Sequence, residues 1–347
     1  MPLSKLGAAF SPNALGPKIA SLRLAMPGIM VSIVIALASS FISEHYGGPV
    51  MLFALLFGMA FNFLSEEGPC VAGVNLSART ILRFGVALLG VRITVGQITD
   101  LGIGPVITVI LAVAVTIGSG WLLARFLKLD RDQGMLSGGA VAICGASAAL
   151  ALSAVMPKHE NSERDTILTV VGVTALSTIA MITYPLLATN LNFSDAAAGV
   201  FLGGTIHDVA QVVGAGYIVS PQAGDIATFV KLLRVAMLVP AVLFFSYVFR
   251  EAHVDSGSGK KAPALPSFLV AFVILVAINS AGLIPETIAG GLNDLSRWCL
   301  VTAIAALGIK TSFKKLAVVG WRPIAMMVGE TLVIAVFVLL ALFVGVA

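Results

Sequence analysis

Charged side chains are scarce in this sequence, since Asp, Glu, Lys and Arg together make up only 11% of its 347 residues. Soluble domains carry about 25%, and no polar block here is long enough to form a domain outside a membrane. Hydrophobic residues instead account for 58% of the chain, and its mean hydropathy is +1.02. The composition therefore excludes a soluble protein and predicts an all-α membrane protein.

Cysteine is also rare, and a contiguous basic patch is missing. The three cysteines, Cys70, Cys144 and Cys299, are an odd number without metal-ligand spacing, so neither a disulfide framework nor a zinc site is predicted. The net charge of +4 is spread through short loops, as a topology signal requires. We therefore expect no nucleic-acid partner, no metal and no cofactor.

Long apolar runs are what the sequence has in abundance. A transmembrane helix needs about 20 mainly apolar residues, with about 17 as a practical minimum. On this basis we predict about 11 transmembrane helices in a single domain, residues 1–347, and the second helix is the weakest of them. The predicted segments are Ala25–Ile42, Val50–Leu64, Leu76–Ile93, Pro105–Phe126, Gln133–Met156, Thr166–Ala188, Ala196–Ile218, Ile226–Phe249, Ser267–Ile284, Ile288–Ile309 and Pro323–Val346.

The basic residues of the connecting loops predict how these segments are oriented. Cytoplasmic loops hold the excess of Lys and Arg, and alternate loops here contain thirteen on one side against three, Arg92, Lys158 and Arg164, on the other. The bias predicts a cytoplasmic N-terminus. The longest polar link, residues 251–266, is rich in Gly, Ser and Pro and is then a flexible cytoplasmic loop.

An internal repeat is visible when the chain is displaced by 218 residues. Between Gly73 and Pro105 the displacement gives nine identities over 33 positions, among them Asn75 with Asn293 and Arg79 with Arg297. The third and tenth segments carry the match and are an odd number of crossings apart, so they run in opposite directions. Inverted repeats are common in secondary transporters. The sequence thus predicts an inverted-repeat transporter fold with halves at roughly 50–188 and 196–347.

The fifth segment, QGMLSGGAVAICGASAALALSAVM, clusters the small residues Ser137, Cys144, Gly145 and Ser147. Glycine disfavours a continuous helix by about 1 kcal/mol relative to Ala, and hydroxyls satisfy backbone groups freed by a break. We therefore predict a discontinuous helix, whose second half begins with free N–H groups suited to an anion. The alternative is that these small residues only permit close helix packing.

The seventh segment contains the stretch GGTIHDVAQVVGAG, in which Thr205, His207, Asp208 and Gln211 interrupt an apolar run. On a helix the last three form one polar wedge, with Thr205 in reach of Asp208. Bracketing glycines suggest a second discontinuous helix lining a cavity. His207 with Asp208 then couples transport to protons or sodium, because His titrates near neutral pH. The alternative is a structural histidine.

Three further charged residues lie inside predicted segments. Lys231 either snorkels to the interface or faces the site. Arg234 is deeper and needs a partner such as Asp208 or an anionic substrate. Glu330 is a buried carboxylate without an evident partner in the sequence, paired or proton-binding.

Five motifs in this order resemble the bacterial sulfate-exporter family of inner-membrane proteins, which is named for a conjectured substrate. They are RFGVALLGVRIT (83–94), AICGASA (142–148), GTIHDVAQVVGAG with SPQAGD (204–225), KLLRVAMLVP (231–240) and ALGIKTSFKKL (306–316). The resemblance covers nearly the whole chain. It implies kinship with the cation/proton antiporter and bile-acid symporter group, and hence crossed broken helices.

Together these observations predict a secondary active transporter of the bacterial inner membrane, not an enzyme. Its partners are then a small anionic solute such as sulfate, a sulfonate or a carboxylate, a proton or sodium ion, and the lipid bilayer; a homodimer is left open. The alternatives are a passive anion channel, a sensor or receptor, and an intramembrane enzyme using Cys144 or Ser147 with His207.

Overall fold

The computed structural model describes residues 12–47, 49–94, 96, 99, 101–157, 161–249, 266–311 and 321–345, with the backbone alone for 12–22. These residues are mainly helical, and no strand occurs among them. Apart from Pro266, the predicted flexible loop 251–266 lies outside the described residues.

The described α-helices are numbered here in chain order. They are α1 Pro12–Tyr46, α2 Val50–Ala60, α3 Val71–Leu76, α4 Leu82–Leu88, α5 Gly104–Leu127, α6 Arg131–Ala142, α7 Ala146–Ser153, α8 Ser162–Asn190, α9 Asp195–Thr205, α10 Val209–Val219, α11 Pro221–Ala236, α12 Leu238–Val248, α13 Ser267–Ser280, α14 Glu286–Lys310 and α15 Trp321–Phe343. A π-helical turn, Ser77–Ile81, joins α3 to α4.

Seven helices or helix pairs of the described chain are long and apolar enough to cross a membrane. They are Arg23–Tyr46, Val71–Val91, Gly104–Leu127, Ser162–Asn190, Pro221–Val248, Glu286–Lys310 and Trp321–Phe343, and each matches one predicted segment. The second and ninth predicted segments form the shorter helices α2 and α13, of 11 and 14 residues. The fifth and seventh are interrupted.

The chain divides into two compact units. The first lies within Met1–Arg83 and Trp298–Thr311, and the second within Phe84–Arg297 and Ser312–Ala347. In the first unit Gly28 of α1 faces Gly73 of α3, and a methyl group on either would overlap the backbone of the other helix. Small residues thus allow close helix packing there.

In the second unit, α6 and α7 form a helical hairpin, called here the first hairpin. Its arms are joined by residues 143–145, and Gly139 in one arm lies against the side chain of Leu152 in the other. At the open end, Asp132 and Gln133 share a small cleft with Ser153 and Met156. Both arms therefore return to the same end of the unit.

The helices α9 and α10 form a second hairpin, joined by residues 206–208. Ser220, directly after α10, donates a 2.8 Å hydrogen bond to the Asp195 carboxylate at the start of α9. A straight passage over these 25 residues would separate them by roughly 37 Å at 1.5 Å per residue. Segments five and seven are predicted as discontinuous transmembrane helices, and in the structure each of them folds back on itself as a hairpin.

The two hairpins enter the unit from opposite ends of α8. The cleft at the open end of the first hairpin includes Ser162 and Thr166, at the start of α8. The open end of the second follows Asn190, the last residue of α8. Since the 29 residues of α8 span about 43 Å, the hairpins point towards each other.

Candidate functional site

The turns of the two hairpins meet in the interior of the second unit. In the first turn Gly145 has φ +66° and ψ −126°, a conformation that a side chain would strain. In the second turn Ile206 and His207 are fully buried. Each break leaves four carbonyl groups at one helix end and four N–H groups at the next without helical partners, so the site must supply them.

Arg234 binds backbone carbonyls at the C-terminal end of the first helix of each hairpin. Its Nε and Nη2 donate to the oxygens of Ala142 (2.8 Å) and Val141 (2.7 Å), at the end of α6. Its Nη1 donates to Ile206 (2.9 Å) and Gly203 (3.2 Å), at the end of α9. The guanidinium therefore joins the two turns through four hydrogen bonds.

Lys231, one turn earlier on α11, does the same with its ammonium group. Its Nζ donates to the carbonyls of Ile143 (2.7 Å) and Ile206 (3.0 Å), one from each turn. Helix C-termini carry about half a negative charge, which compensates two fully buried cations. Lys231 thus does not snorkel, and the hydrogen-bond partners of Arg234 are backbone carbonyls and not Asp208.

His207 connects the second turn to the first hairpin and to α15. Its Nδ1 lies 3.2 Å from the carbonyl oxygen of Val141, which only accepts, so Nδ1 carries a hydrogen. Its Nε2 lies 3.0 Å from the hydroxyl of Thr331, which also lies 2.7 Å from the Met327 carbonyl. Both ring nitrogens are therefore engaged.

Asp208 caps the N-terminus of α10. One carboxylate oxygen accepts from the Ala210 N–H at 2.8 Å, and the Asp208 N–H donates to the hydroxyl of Ser177 on α8 at 3.0 Å. The residue is half-buried. Asp208 is therefore the charged group of this region with partial access.

The predicted polar wedge does not form, because the helix starts only at Val209. Gln211 donates to Thr178 on α8 at 2.7 Å, whereas His207 points towards α15. Thr205 donates to the Phe201 carbonyl and not to Asp208.

The start of α7 differs from the start of α10 because it has no acidic cap. Gly145 occupies the cap position and offers no side chain. Cys144 before it is buried, whereas Ser147 in the first turn is exposed. Gly145 also lies beside the His207 backbone. The start of α7 thus lies beside the second turn, next to an accessible hydroxyl.

Ser137 lies on α6, below the turn, and its partner is not one that the sequence predicts. Its hydroxyl is 2.6 Å from Glu330 Oε1 and 3.2 Å from the Gly134 carbonyl. Because Ser137 and Glu330 are 193 residues apart in the sequence, no local pattern predicts their contact. Glu330, noted only as a buried carboxylate, therefore belongs with the first hairpin.

A polar cluster closes the open end of the second hairpin. Arg92 forms a 2.9 Å ion pair with Asp225, and the Tyr217 hydroxyl donates to the other oxygen of that carboxylate at 2.6 Å. Arg92 lies near the end of the motif RFGVALLGVRIT, and Asp225 ends SPQAGD. Two of the motifs quoted above are thus in contact.

The family model described as conserved hypothetical protein 698 matches residues 27–327 of this chain. The chain belongs to this family. It is 54% identical to the UPF0324 membrane protein CT0845 of Chlorobaculum tepidum, over 90% of this chain and 88% of that protein. It is 50% identical to the UPF0324 membrane protein TauZ of Paracoccus denitrificans, over 94% and 98%. The predicted membership is confirmed, and the family member described here is a multi-pass membrane protein.

A solved structure also aligns with this family member. The sodium proton antiporter MjNhaP1 from Methanocaldococcus jannaschii covers 92% of this chain and 99% of its own, at 14% identity and a TM-score of 0.28.

Proposed function

We propose that this protein is a secondary active transporter of a small anion, working by alternating access in the bacterial inner membrane. The observation that carries the proposal is the meeting of the two hairpin turns at Lys231, which binds one carbonyl from each. Broken helices occur within a membrane only where protein or a water-filled cavity satisfies their backbone. In transporters, such breaks mark the substrate site.

The anion site is the N-terminus of α7. The partial negative charges at the C-terminal ends of α6 and α9 are compensated by Lys231 and Arg234. The partial positive charge at the start of α10 is compensated by the carboxylate of Asp208. The start of α7 has no acidic cap, since its cap residue is Gly145. Its N–H groups and the hydroxyl of Ser147 suit an oxyanion such as sulfate, a sulfonate or a carboxylate.

Asp208 holds the coupling proton or sodium ion. It is half-buried and lies in the second turn, next to His207, whose backbone approaches Gly145. His207 is assigned a positioning role instead, because its two ring nitrogens contact Val141 and Thr331. That arrangement also leaves no free base for Cys144, which weighs against an intramembrane enzyme.

The proposed topology has nine crossings, which are the seven long spans and the shorter helices α2 and α13, together with two re-entrant hairpins. The N-terminus lies in the cytoplasm. Folding back segments five and seven moves the loop with Lys158 and Arg164 to the cytoplasmic side. Fifteen basic loop residues then lie inside and only Arg92 outside, a stronger bias than eleven crossings give. Hairpins that enter from opposite faces also agree with the proposed inverted repeat.

Transport by purified protein in liposomes tests this function. Uptake of labelled sulfate, a short sulfonate and a carboxylate is measured with and without a proton or sodium gradient. We expect gradient-dependent uptake that Asp208→Asn lowers at least tenfold. Uptake at the same rate with and without each gradient would indicate a passive channel. Full activity of Asp208→Asn would show that Asp208 does not bind the coupling ion.

A further inference from the structure

We propose that Glu330 is a proton-binding site, separate from Asp208, that is loaded in the conformation described here. Glu330 lies in the middle of α15 and is fully buried. Its Oε1 contacts Ser137, and its Oε2 has no hydrogen-bond partner among the described residues. An isolated buried carboxylate costs far more than its neutral form, so the surroundings favour the protonated acid.

The contacts of Ser137 support the same assignment. A hydroxyl has one hydrogen to donate, but Ser137 lies within hydrogen-bond distance of two acceptors, Glu330 Oε1 and the Gly134 carbonyl. If Glu330 is protonated on Oε1, it donates to Ser137, and Ser137 donates to Gly134. If Glu330 is ionised, Ser137 donates its single hydrogen to the carboxylate, and the Gly134 carbonyl receives none. The neutral acid alone satisfies both contacts.

Charged groups on the neighbouring helices do not compensate Glu330. Its helix packs against α5, α6, α8 and α9. The titratable residues of those helices are Arg125, Arg131, Asp132, Glu163, Arg164, Asp165, Tyr184 and Asp195. None of them forms an ion pair with Glu330 in the described ranges. His207 approaches α15 through a hydrogen bond with Thr331.

The position of Glu330 relates its proton to both hairpins. Ser137 belongs to the first hairpin, and Thr331, the next residue on α15, contacts His207 of the second. Ionisation of Glu330 would draw the Ser137 hydroxyl away from Gly134 and expose a charge to Gly120, whose backbone lies beside Oε1. Release of the proton therefore requires the first hairpin to move and admit water.

Infrared difference spectroscopy of the purified full-length protein tests this site without a substrate. We expect a carboxylic-acid C=O band that is lost in Glu330→Gln, kept in the matched variant Glu286→Gln at an exposed carboxylate, and shifted in Ser137→Ala. The band should lose intensity as pH is raised over the range in which the protein stays folded. Its absence at every pH, or its persistence unchanged up to unfolding, would overturn the proposal.

The coupling role rests on the proposed function and has its own readout. In liposomes, Glu330→Gln should retain exchange of substrate across the membrane within about twofold of wild type but lose proton-driven accumulation at least tenfold. Equal loss of exchange and accumulation would make Glu330 structural. If wild type transports none of the anions, the proposed function fails, and the infrared band still decides whether Glu330 binds a proton.

Discussion

Ser220 donates a hydrogen bond to Asp195, although the two residues stand at opposite ends of one predicted membrane span. The bond shows that the chain turns back at Ile206–Asp208. Because the first hairpin also turns back, each of the two conspicuous polar stretches is the turn of a hairpin, and Lys231 and Arg234 hold the two turns together.

A thiol cross-link between Asp195→Cys and Ser220→Cys should form in high yield in native membranes. The pair is introduced after replacing Cys70, Cys144 and Cys299, and a short bifunctional maleimide is added. The side chains are in contact, so cross-linking should exceed that of the control pair Asp195→Cys with Ser162→Cys, at opposite ends of α8, by at least tenfold. Equal yields would argue against the hairpin.

The sequence predicts where the helices break but not how the chain continues. Gly145 and the polar stretch at His207 mark the breaks because glycine and buried polar groups are unfavourable in a lipid-facing helix. A straight broken helix and a hairpin have the same local pattern. The contact between Asp195 and Ser220 distinguishes the hairpin from the straight helix, and no local sequence rule predicts that contact.

The partners of the buried charges were also beyond prediction. Arg234 is predicted to need a partner such as Asp208 or an anionic substrate, and Lys231 to snorkel or face the site, but both bind carbonyl groups, which every sequence position has. A carbonyl end becomes a charge partner only once a helix is known to stop there. The contact of Glu330 with Ser137 likewise depends on the packing of α15 against α6.

Arg234→Met should destabilise the protein strongly. The change removes four hydrogen bonds to carbonyls of α6 and α9. Each bond to a charged donor contributes roughly 1.5–3 kcal/mol, so the loss should be at least about 3 kcal/mol after relaxation. Thermal unfolding in detergent measures it. Arg125→Met, at an exposed position in the last turn of α5, is the matched control and should change little.

Gly145→Ala should lower stability, whereas Gly118→Ala should not. A methyl group on Gly145 meets no atom closer than 3.7 Å, so its cost comes from the positive φ of 66° and is about 1–3 kcal/mol. Gly118 lies inside α5 with free space around it, and Ala there should stabilise by up to about 1 kcal/mol. Equal melting temperatures for the two variants would mean that the turn is not held in this conformation.

The ion pair between Arg92 and Asp225 should show a small, salt-sensitive coupling energy. The side chains are 40% and 18% exposed, and pairs with such access to solvent contribute about 0.2–1 kcal/mol. A double-mutant cycle of Arg92→Gln and Asp225→Asn measures the coupling at low and high salt. A coupling well above 1 kcal/mol at high salt would show that the cluster is shielded from solvent.

Labelling from one side of the membrane tests most directly the claim that the site is built from two re-entrant hairpins. Single cysteines are placed at the two ends of α8, as Asn161→Cys and Asn190→Cys, in a protein without its native cysteines, and intact cells are treated with a membrane-impermeant maleimide. The proposed topology predicts that Asn190→Cys is labelled from outside and that Asn161→Cys is labelled only after the membrane is opened. Eleven straight crossings place the two residues the other way round, so the reverse pattern would contradict the account.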